Sequence, residues 1–344
     1  ICHRRYLNSE AQQDLPPELH ASALWNESTI AYLGGDFKRL YNASSDQLEA
    51  AIQCGDNMSS VFGEHLVRHA DAWTRPTGEE STTALREHKL AREIGDQKGL
   101  CWALYGRAEP LARAGQLSEA AAMMQQSFRT LTSERWYGTE PVCRGVHGYL
   151  LMQASNYDRA ANTLCSAWEM TRTQWMFHSF NVLSLPLYLE SLVGPTWQDR
   201  QTGADRKLRK RLARWILALY RSALVLQPSM LRSLGRYAAS EGKEHKAFQC
   251  FERARNLTKE RGMPYHHARI LLDLAATKKE GRDENRTEAI RLLKEMESVI
   301  PRAESWLLGD QYDEAVVAPK FDLEAWEREH GPISVPTREN TIVD

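Results

Sequence analysis

The 344-residue sequence contains few cysteines, and no two of them form a Cys-x-x-Cys pair. The six positions are Cys2, Cys54, Cys101, Cys143, Cys165 and Cys250. Disulfide frameworks and structural zinc sites need closely spaced or paired cysteines, so this spacing indicates neither. We expect reduced thiols that are mostly buried.

Excess positive charge and long apolar runs are also lacking. The chain has 44 Lys+Arg against 45 Asp+Glu, a formal net charge of -1, whereas nucleic-acid-binding proteins usually carry a basic excess. No run approaches the ~18 apolar residues of a transmembrane helix, and no signal peptide is visible. We therefore expect a soluble cytoplasmic protein without a nucleic-acid or membrane partner. Because the first residue is Ile1, we expect the C-terminal part of a longer chain.

Motifs of catalysis and cofactor binding are missing too. The sequence has no Gly-x-x-x-x-Gly-Lys-Ser/Thr or Gly-x-Gly-x-x-Gly phosphate loop, no Gly-x-Ser-x-Gly elbow and no His-Glu-x-x-His helix. We accordingly predict no catalytic residue, no cofactor and no metal in this chain.

What the sequence does contain is helical periodicity. Residues 1–20 and 311–344 are polar and interrupted by prolines, and between them no Val/Ile/Thr-rich alternation indicates a strand. We predict an all-α protein with three parts. These are an N-terminal segment of a fragment (1–20), a TPR-like helical repeat domain (21–310) and an irregular C-terminal tail (311–344).

A repeated helical hairpin is clearest from Ser229 to Leu257. Gly235, Ala247, Phe251 and Ala254 stand at the offsets where a tetratricopeptide (TPR) hairpin needs small residues at a close helix crossing and a large apolar residue one turn on. The offsets recur at Gly148, Ala160, Leu164 and Ala167, at Ala108, Gly115, Ala120 and Met124, and in degenerate form at Ala72, Gly78, Ala84 and Ala91. This repetition predicts a TPR-like α-solenoid of divergent hairpins.

The repeat length is irregular. Successive repeat alanines are separated by 36 (Ala84 to Ala120), 40 (Ala120 to Ala160), 87 (Ala160 to Ala247) and 42 residues (Ala247 to Ala289), against about 34 in a regular TPR. The double step predicts one more hairpin, with helices near Met176–Leu192 and Arg206–Leu226. An earlier hairpin is expected to turn at Gly34-Gly35-Asp36.

Two other patterns have plain structural interpretations. His65 and His69 stand one helical turn apart, a spacing that suits two metal ligands, but without a third ligand nearby a partly exposed polar face is favoured. His266 and His267 are expected on a hairpin surface. The basic run from Arg206 to Arg214 alternates with an apolar stripe, which favours a solvated helix face.

One long segment is similar to a known protein family. It covers residues 206–275 and begins RKLRKRLARWILALYRSALVLQPSMLRSLGRYAASEGKEHKAF. This segment resembles the C-terminal helical region of large class III adenylyl/guanylyl cyclases of the soluble-adenylyl-cyclase kind, and residues 93–128 look like an upstream repeat. In that family, paired cyclase domains are followed by a STAND/AAA-type ATPase and a degenerate TPR tail. Similar tails occur on ATPase-linked Ser/Thr kinases and on transcriptional regulators. The cyclase catalytic residues belong to domains outside this sequence, so none is carried over.

We therefore expect a non-catalytic interaction or regulatory module whose partner is a protein or a domain of the same chain. A free-standing TPR scaffold is the alternative, and an enzyme on a helical toroid is a weaker third. First-helix residues should line the concave groove of such a stack. The expected groove residues are Trp102, Tyr105, Arg113, Tyr149, Arg232 and Arg236. Aromatic and arginine side chains are common anchors at interfaces.

Overall fold

The computed structural model describes residues 16–131, 138–173, 182–197 and 203–334. Within these ranges the protein is helical, without a strand; one isolated bridge pairs Ile300 with Val317. The prediction of an all-α helical-repeat solenoid is confirmed. No helix in the described ranges is long and apolar enough to cross a bilayer. Cys2 and residues 176–181 of the helix predicted near Met176–Leu192 lie outside those ranges.

Fourteen helices of the described ranges pack in sequence as seven hairpins. The hairpins are α1 (Pro17–Gly34) with α2 (Phe37–Cys54), α3 (Asn57–Thr74) with α4 (Thr77–Ile94), α5 (Gln97–Arg113) with α6 (Leu117–Leu131), α7 (Thr139–Gln153) with α8 (Tyr157–Thr173), α9 (Ser184–Val193) with α10 (Gly203–Leu219), α11 (Gln227–Ser240) with α12 (Glu244–Glu260), and α13 (Pro264–Thr277) with α14 (Arg282–Glu295). The helix predicted to continue to Leu226 ends at Leu219, and a short 3₁₀ turn, Leu224–Leu226, follows.

A Gly-Asp dipeptide joins several of these helices. The glycine adopts a left-handed conformation that ends one helix. The aspartate side chain then accepts a hydrogen bond from a backbone N–H of the following helix. The dipeptides are Gly35-Asp36, Gly55-Asp56 and Gly95-Asp96. The turn predicted at Gly34-Gly35-Asp36 is confirmed.

Small residues allow the helices of a hairpin to cross closely. A Cβ atom built on Gly235 would lie 2.5 Å from the Phe251 ring, and one on Gly148 would lie 2.4 Å from Leu164. The two pairs share the same offset of sixteen residues, which supports one register in both hairpins. Every repeat alanine is fully buried: Ala84, Ala120, Ala160, Ala247 and Ala289.

The stack curves until its two halves meet. Helix α13 of the last hairpin packs against α3 of the second, where the Trp73 and His266 rings stack with centroids 4.6 Å apart. The guanidinium of Arg113 on α5 lies 4.9 Å from the ring centre of Tyr265 on α13. The first helices of the hairpins therefore face a common axis.

The segment after α14, residues 296–333, is called the strap here because it crosses the hairpin turns along one edge. It contacts Thr77 through Met296 O (Oγ1–O 2.8 Å) and Arg113 O through Val299 N (2.8 Å). Farther along, Ala303 N bonds Ser155 Oγ (3.1 Å), and Trp306 Nε1 donates to Pro195 O (3.0 Å). These contacts link four consecutive hairpins.

The strap extends the packed structure beyond the predicted boundary at residue 310. It contains the 3₁₀ segments Arg302–Gln311 and Glu314–Val316 and helix α15 (Leu323–His330). Trp326 of α15 is buried and donates from Nε1 to Ser118 Oγ (3.2 Å), and Glu327 forms a bidentate ion pair with Arg159. At the other end, α1 begins at Pro17, inside the segment predicted to precede the domain.

Candidate functional site

A cavity of about 70 Å³ lies on the axis of the curved stack and is called the axial cavity below. The first helices of six hairpins, α3, α5, α7, α9, α11 and α13, all contribute to its wall. The lining residues are Trp73, Glu109, Arg113, Gly145, Val146, Tyr149, Met152, Leu183, Leu187, Glu190, Ser229, Arg232, Tyr265, His266, Arg269 and Pro301 of the strap. The wall thus combines apolar and aromatic surface with a few charged groups, a composition typical of small-ligand pockets.

An arginine–carboxylate network lies beside this cavity. Its members are Arg232, Arg236, Arg269, Glu190, Asp273 and Glu304, all buried. Arg236 bridges Asp273 (Nη2–Oδ1 2.9 Å) and Glu304 (Nη1–Oε1 2.8 Å). Arg232 bridges Glu190 (Nη1–Oε2 2.7 Å) and Asp273 (Nε–Oδ2 2.7 Å), and Arg269 Nη2 donates to Glu304 Oε2 (2.7 Å). Three positive charges face three negative charges, so the network is neutral.

The pKa shifts follow from these pairings. Burial alone would raise the pKa of Glu304, but the guanidinium groups of Arg236 and Arg269 hold it well below its ordinary value. Burial would likewise lower the pKa values of Arg236 and Arg269, yet their carboxylate partners raise both above the ordinary value. All three groups stay charged at neutral pH.

Two tyrosine hydroxyls meet at the cavity wall. Tyr149 on α7 and Tyr265 on α13 are hydrogen-bonded to each other at 2.8 Å. Arg269 Nη1 donates to Tyr265 (2.9 Å), and the Gln153 amide contacts Tyr149 (2.6 Å). Burial raises the pKa of Tyr149 well above its ordinary value. Tyr149 therefore remains protonated, and the hydrogen-bonded pair connects opposite sides of the closed stack.

The structure divides the six expected groove residues into three groups. Arg113, Tyr149 and Arg232 line the axial cavity, as first-helix residues should. Arg236 is fully buried behind them in the arginine–carboxylate network. Arg232 and Arg236, both expected to face an open groove, are instead enclosed by carboxylates from α9, α13 and the strap.

Trp102 and Tyr105 belong to a second buried cluster around His65, His69 and Glu87. His65 Nδ1 lies 2.7 Å from Glu87 Oε1, and the His65 and His69 Nε2 atoms lie 3.2 Å apart. The Trp102 ring lies against His65 with centroids 4.5 Å apart. The expected partly exposed histidine face is wrong, since His65 is 3% exposed and His69 9%.

Arg68 sets the electrostatics of this cluster. Its Nε donates to Glu87 Oε2 (2.8 Å) and its Nη2 lies 3.3 Å from both imidazoles. Burial and the Arg68 charge lower the pKa values of His65 and His69 well below 6.5, while burial raises the pKa of Glu87 to about 7. Among the described residues, no group of three or more potential metal ligands is suitably placed to hold an ion.

The remaining sequence interpretations have mixed outcomes. His266 is not a hairpin-surface residue but lines the axial cavity against Trp73. Most of the basic run on α10 is solvent-exposed as expected, except Arg209, which is 2% exposed. Cys101 and Cys143 are buried with their sulfurs 3.7 Å apart, and burial raises the pKa of the Cys143 thiol.

Several site residues were missed by sequence reasoning: Glu190, Tyr265, Arg269, Asp273 and Glu304. For two of these residues, the surrounding sequence could have indicated a buried charge. Glu190 interrupts the apolar segment from Leu185 to Val193, and Asp273 interrupts the one from Ile270 to Ala276. A lone carboxylate in an apolar helix needs a buried cation, and the neighbouring arginines on α11 supply it.

No protein-family model matches this chain, and a comparison with curated proteins finds no match.

Proposed function

We propose that this chain is a non-catalytic protein-interaction and regulatory module, the C-terminal region of a multidomain signalling protein of the nucleotide-cyclase type. The resemblance of residues 206–275 and 93–128 to the helical tails of such cyclases supports the parent. The proposed partner is another domain of the same cytoplasmic protein.

The outer face of the first hairpin carries this proposal. Ala21, Leu24 and Ala31 of α1 are buried against the rest of the stack, yet Leu19 and Ile30 on its opposite side are 59% and 49% exposed. Leu19 and Ile30 are eleven positions apart, which places them on the same face of the helix. The terminal repeat of a solenoid needs a polar outer face to remain soluble alone. Apolar residues there are typical of a surface that packs against a further unit.

The test uses the domain encoded immediately upstream of Ile1, produced separately and mixed with residues 1–344. Calorimetry should show saturable binding, and Leu19→Asp with Ile30→Asp should weaken it at least tenfold, because two charges would be buried in an apolar contact. Leu217→Asp on α10 is the matched control, since Leu217 is equally exposed at 59%. The control should bind like the unmodified chain.

Three outcomes count against the proposal. Equal binding by the α1 variant and the α10 control would remove the first hairpin as the contact. No upstream domain in the reading frame would favour a free-standing scaffold. An upstream kinase or DNA-binding domain would reassign the parent to an ATPase-linked Ser/Thr kinase or a transcriptional regulator.

A further inference from the structure

Two buried guanidinium nitrogens beside the axial cavity form no hydrogen bond. Within the described part of the chain these are Nη2 of Arg232, whose nearest carboxylate oxygen is Glu304 Oε2 at an ion-pair distance of 3.5 Å, and Nε of Arg269; both side chains are more than nine-tenths buried. Buried guanidinium nitrogens are normally satisfied, so two unsatisfied ones in the wall of one cavity call for an explanation.

The tyrosine pair adds a third donor. The two hydroxyls share one hydrogen bond, and Arg269 and the Gln153 amide supply their other contacts. If the amide nitrogen of Gln153 faces Tyr149, one phenolic proton and the amide oxygen Oε1 are left without partners among the described residues. If the amide is reversed, its N–H group is left over instead. One donor is therefore unpaired in either orientation.

Most acceptors of the neighbouring network, by contrast, are engaged. Glu190 accepts from Arg232 at Oε2, and its Oε1 lies 2.9 Å from Ser233 Oγ, whose one proton is also within reach of Ser229 O (2.8 Å) and Pro186 O (3.0 Å). Both oxygens of Asp273 and both of Glu304 also accept from arginines. A ligand that pairs with the free donors must therefore supply hydrogen-bond acceptors. A carboxylate supplies two acceptor oxygens in one plane.

The volume of the axial cavity limits the size of the ligand, and the apolar side of its wall determines what the rest of the ligand must be. A volume of 70 Å³ is about five times the minimum that holds one water, which corresponds to roughly five or six non-hydrogen atoms. It is too small for a peptide segment. Val146, Leu183 and Leu187 supply apolar surface on α7 and beside α9.

We propose that the axial cavity is a binding site for a small aliphatic carboxylate of about the size of butyrate. Arg232, Arg269 and the tyrosine pair donate to its oxygens, and its hydrocarbon chain lies against the apolar wall. Ligand and closed stack stabilise each other, because the donors come from α7, α11 and α13. This site goes beyond the interaction function and does not depend on it.

The experiment is a titration of the 344-residue chain with butyrate and butyramide, which have the same number of non-hydrogen atoms and nearly the same shape. We expect one saturable site for butyrate and at least tenfold weaker binding of butyramide. Gly145→Leu should weaken butyrate binding at least tenfold by filling the cavity. A Cβ on Gly145 meets its nearest side-chain atom at 3.8 Å, so the position admits a side chain. Gly34→Leu, at an exposed helix position with nothing within 4 Å, is the matched control.

Each other outcome overturns the proposal. Equal binding of both probes would mean that a neutral acceptor suffices. Binding of neither would mean that the cavity holds only water. Unchanged butyrate binding by Gly145→Leu would place the site elsewhere. If Gly145→Leu loses its helical circular dichroism, Tyr149→Phe replaces it and must lower the preference for butyrate over butyramide at least threefold.

Discussion

The arginine–carboxylate network fixes geometry at the level of single residues. Arg236 is fully buried and holds Asp273 of α13 and Glu304 of the strap at the same time. Taking such ions out of water costs several kcal/mol each, so the network adds little net stability while it is intact. Its effect is on the arrangement, because its six charges pair across α9, α11, α13 and the strap.

Removing one member of the network should therefore be costly. Arg236→Ala leaves two buried carboxylates short of a partner, and we expect a loss of ~3–5 kcal/mol in the free energy of unfolding. The matched control is Arg206→Ala, whose pair with Glu241 is exposed on the arginine side (65%), with an expected loss of ~0–1 kcal/mol. Urea denaturation of both variants measures the difference. Similar midpoints would show that the buried pairs are not formed in solution.

The glycine of a hairpin crossing allows an equally local prediction. Gly235→Ala would place a Cβ atom 2.5 Å from the Phe251 ring, and overpacking of this kind typically costs ~1–3 kcal/mol. Gly145 also lies within a helix, but a Cβ atom there would be 3.8 Å from its nearest neighbour. Because alanine has a higher helix propensity than glycine, Gly145→Ala should stabilise the fold by up to ~1 kcal/mol. Thermal unfolding should shift the two midpoints in opposite directions. A shift of the same sign in both would contradict the crossing register.

At the level of elements, the hairpins were predictable and the strap was not. Small residues such as Ala160 and Ala247 recur at fixed offsets within hairpins whose two helices are adjacent in the sequence, so local spacing carries the information. Residues 296–333 contact turns 100 to 220 positions earlier, as in the pairs Thr77–Met296 and Trp306–Pro195. Their irregular, proline-interrupted sequence has no period that could reveal such distant partners.

The strap contains two tryptophans that differ in burial and so provide a test of its packing. Trp326 is 8% exposed and belongs to the main core, whereas Trp306 is 40% exposed. Trp326→Ala should cost ~3–5 kcal/mol by leaving a cavity against α6. Trp306→Ala should cost clearly less. If denaturant midpoints fall equally, α15 does not pack on the stack as described.

At the level of the whole molecule, the sequence predicted which helices face inward but not how tightly the stack closes. Arg113, Tyr149 and Arg232 do line the axis, yet the axial space is only about 70 Å³. Curvature is the sum of small rotations between seven hairpins, and no single repeat encodes that sum. For the same reason the carboxylates that neutralise Arg232 and Arg236 could not be assigned, since they come from helices and a strap distant in the sequence.

Packing between the helices of the stack also encloses histidines, with a consequence for the whole molecule. Burial and nearby arginines lower the pKa values of His65, His69 and His266 well below 6.5, and burial lowers that of His147 to about 3. The unfolded chain takes up these protons near pH 6.5 and the folded protein does not. Stability is therefore complete above about pH 6.5 and is lost as the pH falls below it. Glu87 acts in the opposite sense, because its folded pKa of about 7 lies above the unfolded value of 4.5, so protonation between pH 7 and 4.5 stabilises the fold.

The four histidines outweigh Glu87, and of the other shifted groups His88 and His267 act in the same sense as these histidines while Glu64 acts in the sense of Glu87, so acid lowers stability. Each fully titrating group changes the free energy of unfolding by about 1.4 kcal/mol per pH unit, so the expected slope below pH 6 is on the order of 4 kcal/mol per unit. Urea midpoints measured from pH 7.5 to 5.5 should fall steeply. His147→Leu should reduce the slope by about one quarter to one third, since His147 is 5% exposed and its pKa is the one lowered to about 3. His245→Leu, at an exposed position of α12, should leave the slope unchanged. A stability that stays level or rises toward pH 5.5 would mean that these histidines are accessible to protons in the folded protein and would contradict their described packing.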